Sequence, residues 1–163
     1  MIPEQSNQTR KMEKIDKLDR QILSIISKNA RIPFKEVAEV CGVSRAAIHQ
    51  RVQRLIDMNV ILGSGYHINP KILGYETCAY IGVTLERGSM YKDVVPEFAQ
   101  IPEIVEVNFT TGPYTMMVKL YARNNEHLME LLNGKIQAIP GVTETETLIA
   151  LRESLKREIP YHS

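Results

Sequence analysis

The residues of this 163-residue sequence best suited to chemistry form a polar stripe that contains no acid. Spacings of one, four, five and eight from Arg45 place the members of the stripe on one side of a helix. The stripe consists of Arg45, Ala46, His49, Gln50 and Gln53. A glutamine can bond an adenine edge at two points, arginine and histidine can donate to guanine, and an alanine can contact a thymine methyl. The stripe therefore predicts that base pairs are read in a DNA major groove.

Positive charge for phosphate contact is concentrated early in the chain. The net charge is only +1, but residues 1–60 carry eleven Lys and Arg against seven Asp and Glu, while residues 61–163 carry nine against twelve. Arg51 and Arg54 flank the stripe and could reach phosphates, and Ser44 with the first helical amides would add donors. The alternative is that the stripe is the solvated face of an ordinary amphipathic helix and that the arginines are ordinary surface charge.

Two short helices are predicted before the one that carries the stripe. The first begins near Asp16, which together with Asp19 supplies the acids that favour a helix start. Its apolar face follows at helical spacing and consists of Leu18, Ile22, Ile25 and Ile26. The helix ends near Asn29, and a second helix is predicted from about Pro33 to Cys41.

Gly42, Val43 and Ser44 are predicted to form a tight turn before the third helix. Gly42 can adopt the left-handed conformation that ends the second helix, and Ser44 can cap a third helix that runs to about Met58. The buried side of this third helix is predicted to comprise Ala47, Ile48, Val52, Leu55 and Ile56. Three short helices with a glycine-containing turn between the last two indicate a helix-turn-helix unit.

A wing is predicted directly after the third helix. Gly63-Ser64-Gly65 lies between the apolar segments 60–62 and 66–68, a pattern typical of two short strands joined by a tight turn. Asn69-Pro70 then interrupts regular structure. We therefore expect a tail over residues 1–14 that is disordered, a winged helix-turn-helix domain over 15–68 and a linker over 69–76.

The second half of the chain, residues 77–163, alternates strands and helices. Apolar residues at every second position predict strands over 77–86, 104–111, 115–122 and 142–151, whereas apolar residues three and four apart predict helices over 90–100 and 124–139. The order β-α-β-β-α-β is that of a ferredoxin-like domain. The predicted fold class is therefore α+β, with an N-terminal winged helix-turn-helix followed by a ferredoxin-like domain.

One face of the predicted sheet needs a partner. Two helices can cover only one face of a four-stranded sheet, and the strand residues outside the main alternation are apolar enough to favour self-association. These residues are Tyr80, Met117, Tyr121 and Leu148. We predict a homodimer formed through the sheet.

Composition excludes several classes of protein. No apolar run approaches the ~20 residues needed to cross a bilayer, and the N-terminus lacks the apolar stretch of a secretory signal, so we expect no membrane and a cytoplasmic location. Cys41 and Cys78 are far apart and without metal-ligand spacing, which predicts neither a disulfide framework nor a metal site. We expect no cofactor.

Residues 16–68 resemble the DNA-binding half of the Lrp/AsnC family, the leucine-responsive regulatory protein and asparagine-synthase-activator family. The matching segments are Leu18-Asp19-Arg20-Gln21-Ile22-Leu23, Ala30-Arg31-Ile32, Val37-Ala38, Gly42-Val43-Ser44 and Arg51-Val52-Gln53-Arg54-Leu55. The second half resembles the effector domain of the family, where Gly74-Tyr75 and Pro140-Gly141-Val142 also fit. The resemblance covers nearly the whole chain.

The resemblance implies a regulator that binds double-stranded DNA and responds to small molecules, commonly amino acids. It also implies homodimers that often assemble into tetramers or octamers, with the effector bound near the turn between the second and third strands. That turn here consists of Thr110, Thr111, Gly112, Pro113, Tyr114 and Thr115. Family members often carry acids around the Gly-x-Tyr of this turn, where this sequence has Pro113 and Thr115.

An amino-acid effector would need acceptors for its ammonium group and donors for its carboxylate, because unpaired buried charge is costly. The turn backbone, the threonine hydroxyls and Glu144 or Glu146 could supply them. The alternative is that Gly112-Pro113 is a simple hairpin turn and that the alternating Thr and Glu of residues 142–147 form one wet strand face.

Two other functions fit the same architecture. Sirohaem decarboxylases share it without reading DNA, but catalysis needs convergent titratable groups, and His49, His67, His127 and His162 fall in four different predicted elements. The other alternative is a sensor or interaction module whose third helix no longer binds DNA. The acid-free stripe disfavours that alternative.

Overall fold

A computed structural model describes residues 15–161 of the chain. The predicted tail over residues 1–14 and His162 lie outside the described residues. The described residues form two compact units, one of residues 15–66 together with 157–161 and the other of residues 67–156. Residues 157–161, which the sequence analysis placed in the second domain, therefore group with the first unit, where Arg20 Nη1 donates to the Tyr161 carbonyl at 3.2 Å.

The first unit contains three helices, α1 (Lys17–Ile26), α2 (Phe34–Cys41) and α3 (Arg45–Asp57). Asp16 caps α1 in a reciprocal capping box with Asp19, each side chain accepting from the backbone of the other. Gly42 ends α2 at φ 67°, and the Ser44 hydroxyl accepts from the Ala47 amide at 3.1 Å to start α3. The predicted helix-turn-helix is confirmed, including the roles of Asp16, Gly42 and Ser44, but α1 ends at Ile26, three residues before the predicted Asn29.

The core of the first unit joins all three helices through Ile22, Val37 and Ile48, none of which has exposed surface. Leu55 is equally buried, but Ile56, predicted to be buried with it, is 42 % exposed. Ile56 lies eight residues after Ile48, which rotates it by about 80° around the helix axis. The short helices α1 and α2 cover a narrower stripe of α3 than its apolar pattern suggests.

The predicted wing strands are absent from the described structure. The amides of Val60 and Ile61 both donate to the Leu55 carbonyl, at 2.9 and 3.1 Å, so they complete the end of α3 instead of a strand ladder. Residues 62–69 are exposed and irregular. An isolated two-stranded ribbon is marginally stable at best, and this segment lacks a third strand to pair with in residues 15–161. Part of the predicted linker, Pro70–Leu73, instead forms a 3₁₀ turn that Asn69 caps.

The second unit contains strands β1 (Thr77–Leu85), β2 (Ile104–Phe109), β3 (Met116–Ala122) and β4 (Val142–Ala150). Helix α4 (Tyr91–Ala99) connects β1 to β2, and α5 (Asn125–Glu130), extended by a π-helical segment (Leu131–Ile136), connects β3 to β4. All three strand pairings are antiparallel, and the order across the sheet is β2-β3-β1-β4. This is the predicted ferredoxin-like arrangement, so the α+β fold class is confirmed.

Alternate strand residues divide the sheet into two chemically different faces. The β1 residues Ala79, Ile81 and Val83 are fully buried in one core with Val94 of α4 and Ile136 after α5. The opposite face carries the residues predicted for self-association, of which Tyr80 is 38 % and Leu148 51 % exposed. None of the helices in residues 15–161 combines the length and apolar character needed to cross a bilayer.

Candidate recognition helix and ligand pocket

Helix α3 presents the predicted acid-free stripe to solvent. All five stripe residues are exposed, as is the capping residue Ser44, while Ile48 and Leu55 on the other side of the helix are buried. The stripe comprises Arg45, Ala46, His49, Gln50 and Gln53. The structure therefore brings these side chains together on one accessible surface, because a helix that buries one side exposes the other.

Two members of the stripe have intramolecular contacts. The His49 ring lies edge-on against Phe34 of α2, with 4.6 Å between centroids and an interplanar angle of 78°. Gln53 Nε2 donates to Asp57 Oδ1 at 2.9 Å along the same helix. These contacts limit the rotamers of both side chains while leaving them exposed.

Arg51 and Arg54 have a role that the sequence analysis did not anticipate. Arg51 Nη1 lies 2.5 Å from Asp16 Oδ2 and 3.0 Å from Asp19 Oδ1, and Arg54 Nη2 lies 2.5 Å from Asp19 Oδ2. The Asp19 side chain is fully buried, and each arginine side chain is about one third exposed. The two arginines thus fasten α3 to the start of α1, and their predicted contact with phosphates stays a prediction.

The four side chains form what we call the Asp-Arg cluster: Asp16, Asp19, Arg51 and Arg54. The hydrogen bond from Arg51 is the main cause that lowers the pKa of Asp16 from 3.8 to about 2, and the same pairing raises the pKa of Arg51. The Asp16–Arg51 pair therefore stays ionised at neutral pH. The only sign of the cluster in the sequence was that the two acids, like the two arginines, are three residues apart.

A further cationic side chain lies against the segment that follows α3. The Arg31 guanidinium is 4.2 Å from the centroid of the Tyr66 ring, a cation-π contact within the first unit. Lys28 and Lys35 are exposed in the same unit. Arg31, Lys28 and Lys35 thus place positive charge on the surface of the helix-turn-helix unit.

Polar groups of the turn between β2 and β3 are engaged in hydrogen bonds within the protein. The Thr110 amide donates to the Thr115 carbonyl and the Thr110 hydroxyl to the Tyr114 carbonyl, both at 3.0 Å, while the Thr115 hydroxyl accepts from the Leu85 amide at 3.1 Å. Gly112 adopts φ 105°, and residues 111–113 are exposed. Five of the six predicted turn residues therefore build the turn and lie outside the pocket described next.

A cavity of about 420 Å³ lies against the paired strands β1 and β4. It is lined by Gly82, Thr84, Tyr114, Gln137, Glu144, Thr145 and Glu146. Three predicted effector residues, Tyr114, Glu144 and Glu146, are thus brought together. The register of β1 and β4 explains why both glutamates line the cavity, because Glu146 lies opposite Gly82 and Glu144 lies opposite Thr84.

The cavity is rich in acceptors and acidic. The Tyr114 hydroxyl donates to Glu146 Oε2, and this bond raises the pKa of Tyr114. The lining contains two carboxylates and neither lysine nor arginine. Such a site favours a ligand with an ammonium group, because the carboxylates can accept its hydrogen bonds and balance its charge.

Sequence reasoning missed four residues that line the cavity: Gly82, Thr84, Gln137 and Thr145. Gly82 carried a usable signal, because a glycine inside an apolar strand often marks a place where another group approaches the backbone. Gln137 carried none. It follows the π-helical segment after α5, and its Nε2 donates to the Thr145 hydroxyl at 2.8 Å.

Family models match both parts of the chain. Residues 15–56 match the AsnC-type helix-turn-helix domain, and residues 78–160 match the Lrp/AsnC ligand binding domain. The chain is 36 % identical to the regulatory protein AsnC of Haemophilus influenzae over 91 % of its own length and 99 % of that protein.

Solved structures show the same similarity. The structure of AsnC from Escherichia coli superposes with a TM-score of 0.86 at 35 % identity, covering 91 % of this chain and 99 % of the other. A transcriptional regulator from Neisseria meningitidis, solved as a complex with L-methionine, shares the fold with a TM-score of 0.82 at 18 % identity, covering 88 % and 94 % of the two chains.

Proposed function

The chain belongs to the Lrp/AsnC family of transcriptional regulators, and from that premise we propose which of its residues read DNA and which bind an effector. Its relatives are named as regulatory proteins, and the family is not one of enzymes. The chain is accordingly a helix-turn-helix regulator and not a tetrapyrrole-processing enzyme. Because a transcriptional regulator of this family acts on DNA, we place it in the cytoplasm.

Helix α3 is the element that enters the major groove. The observation that carries this assignment is the exposed, acid-free stripe on a helix whose N-terminus Ser44 caps. Arg45 and His49 donate to guanine acceptors, Gln50 and Gln53 bond adenine, and Ala46 contacts thymine methyls. The helix N-terminus with Ser44, together with Arg51 and Arg54, contacts the phosphates.

The cavity against β1 and β4 is the effector site, and its ligand is an amino acid. Glu144 and Glu146 would accept the ammonium group, while the Thr84 hydroxyl and neighbouring backbone amides would donate to the carboxylate. Tyr114 forms part of the lining, and Thr110, Thr111, Gly112, Pro113 and Thr115 hold it in place as the turn. The L-methionine complex of the Neisseria regulator, which shares this fold, supports the ligand class.

The protein acts as a homodimer joined through the open face of the sheet, with larger assemblies up to an octamer built from such dimers. Tyr80 and Leu148 are the exposed apolar residues that support this interface. Association would remove them from water, and burial of apolar surface is the main favourable contribution to most protein association. Two recognition helices in one dimer would then meet two half-sites of a pseudo-palindromic operator.

A gel shift with the promoter region of the protein's own gene tests the recognition helix. The double variant Arg45→Ala/Gln50→Ala should lose specific binding, because each lost base contact costs ~1–3 kcal/mol. The variant Arg87→Ala/Gln100→Ala removes the same residue types from exposed positions of the second unit and is the matched control. Equal affinity of the two double variants for this DNA would refute the assignment.

A further inference from the structure

The Asp-Arg cluster places an acid against the helix that we propose to face DNA. Asp16 Oδ2 is 2.5 Å from Arg51 Nη1, and Arg51 belongs to the same helix as the base-reading stripe. The Asp16 side chain is 49 % exposed, whereas the Asp19 side chain is fully buried. The two acids therefore differ in function. Asp19 is a buried ion-pair partner that links α1 to α3, and Asp16 is a charge that is partly exposed to solvent.

Asp19 alone is sufficient to hold α3 against α1. Its carboxylate accepts from Arg51, Arg54 and the Asp16 amide, so α3 stays attached to α1 through Asp19 even without the Asp16 charge. The capping role of Asp16, whose Oδ1 accepts from the Asp19 amide at 2.8 Å, needs only a neutral acceptor. Asparagine is as good an N-cap as aspartate. The negative charge of Asp16 is thus not required for the fold and contributes only modestly to its stability.

We propose that Asp16 restrains Arg51 and thereby limits the sequence-independent affinity of this protein for DNA. Within residues 15–161, Arg51 makes its hydrogen bonds through Nη1 alone, and Asp16 and Asp19 share that atom. A phosphate that contacts the rest of the guanidinium therefore meets an arginine whose charge the Asp16 carboxylate already offsets. The inference rests on the proposed function, since it requires α3 to face DNA.

The physical argument concerns counterions. An arginine that neutralises a phosphate releases bound cations, which strengthens binding at low salt regardless of sequence. An arginine that a nearby carboxylate already neutralises releases fewer cations when it contacts a phosphate. Asp16 therefore lowers affinity for all DNA by a similar factor, and discrimination between sequences is left to the stripe.

The test is the charge-only variant Asp16→Asn, with binding to the gene's own promoter duplex and to an unrelated duplex of equal length followed by fluorescence anisotropy at several salt concentrations. We expect both duplexes to bind about two- to fivefold more tightly, the scale of an exposed ion pair. The slope of log affinity against log salt should steepen by about 1. Circular dichroism spectra establish that the variant is folded.

Two controls separate this mechanism from a general change in charge. Glu39→Gln removes one exposed acid from α2 of the same unit and should have a smaller effect. In an Arg51→Gln background, Asp16→Asn should tighten binding no more than Glu39→Gln does, because the effect acts through Arg51.

Weaker binding by Asp16→Asn, or equal tightening with and without Arg51, would overturn the inference. Failure of the wild-type protein to bind either duplex would overturn the proposed function as well. Normal wild-type binding with an unchanged Asp16→Asn variant would overturn this inference alone. The two failures are therefore distinguishable in a single series of titrations.

Discussion

The Tyr114 ring lies directly over the backbone of Gly82. A β-carbon at position 82 would lie 2.7 Å from Cγ and Cδ1 of Tyr114, closer than real side chains approach. The contact joins the β2–β3 turn to the middle of β1, at the place where both residues line the cavity. The shape of the cavity thus depends on a glycine that makes room for a tyrosine.

Gly82→Ala should therefore destabilise the second unit and displace Tyr114. We expect a cost of ~1–3 kcal/mol in the free energy of unfolding, as for other insertions into tightly packed sites, measured by urea denaturation. Gly134→Ala is the matched control, because a β-carbon there has nothing within 4 Å. If the clash is the cause, Gly82→Ala/Tyr114→Ala will cost less than the sum of its two single changes.

An amino acid that binds the cavity should raise the melting temperature of the wild-type protein, because a ligand that binds only the folded state stabilises it. A thermal-shift screen of the amino acids measures this effect. Glu146→Gln should reduce the shift by weakening the acceptor for the ammonium group, whereas Glu130→Gln, exposed on α5, should leave it unchanged. The same shift in both variants would show that the ligand binds elsewhere.

The charge of Asp16 should contribute to stability in a defined pH window. Its pKa falls from 3.8 to about 2 on folding, so the contribution is complete above pH 4 and disappears as the pH falls through 2. Because the side chain is half exposed, we expect only ~0.5–1 kcal/mol at pH 7 between wild type and Asp16→Asn. Urea denaturation at pH 7, 4 and 3 should show that difference shrinking below pH 4, and a difference independent of pH would contradict the ion pair.

Leu148→Asp should weaken the proposed homodimer. A charge on the open sheet face would be buried without a partner on association, which is costly. Light scattering coupled to size exclusion should show a lower mass for this variant than for Leu151→Asp, since Leu151 is 92 % exposed just beyond the end of β4. Unchanged mass in the Leu148 variant would place the interface elsewhere.

The sequence by itself predicted the features that depend on neighbouring residues. Asp16, Gly42 and Ser44 begin or end helices through bonds and backbone angles within a few residues, and the alternation in β1 depends on strand geometry alone. The acid-free stripe follows from helical periodicity. For the same reason, the helix-turn-helix and the ferredoxin-like order could be predicted before any packing was known.

Only the tertiary structure decided which distant groups meet. Val60 and Ile61 look like strand residues, yet their amides complete α3 and no wing forms in the described residues. Arg51 and Arg54 pair with acids more than thirty positions away, and Gly82 meets Tyr114 across two strands. Such contacts depend on how whole helices and strands pack. Spacing along the chain does not reveal the distance between residues that are far apart in sequence. The tertiary structure therefore assigned the Asp-Arg cluster and the lining of the cavity, while the sequence had already defined the acid-free stripe.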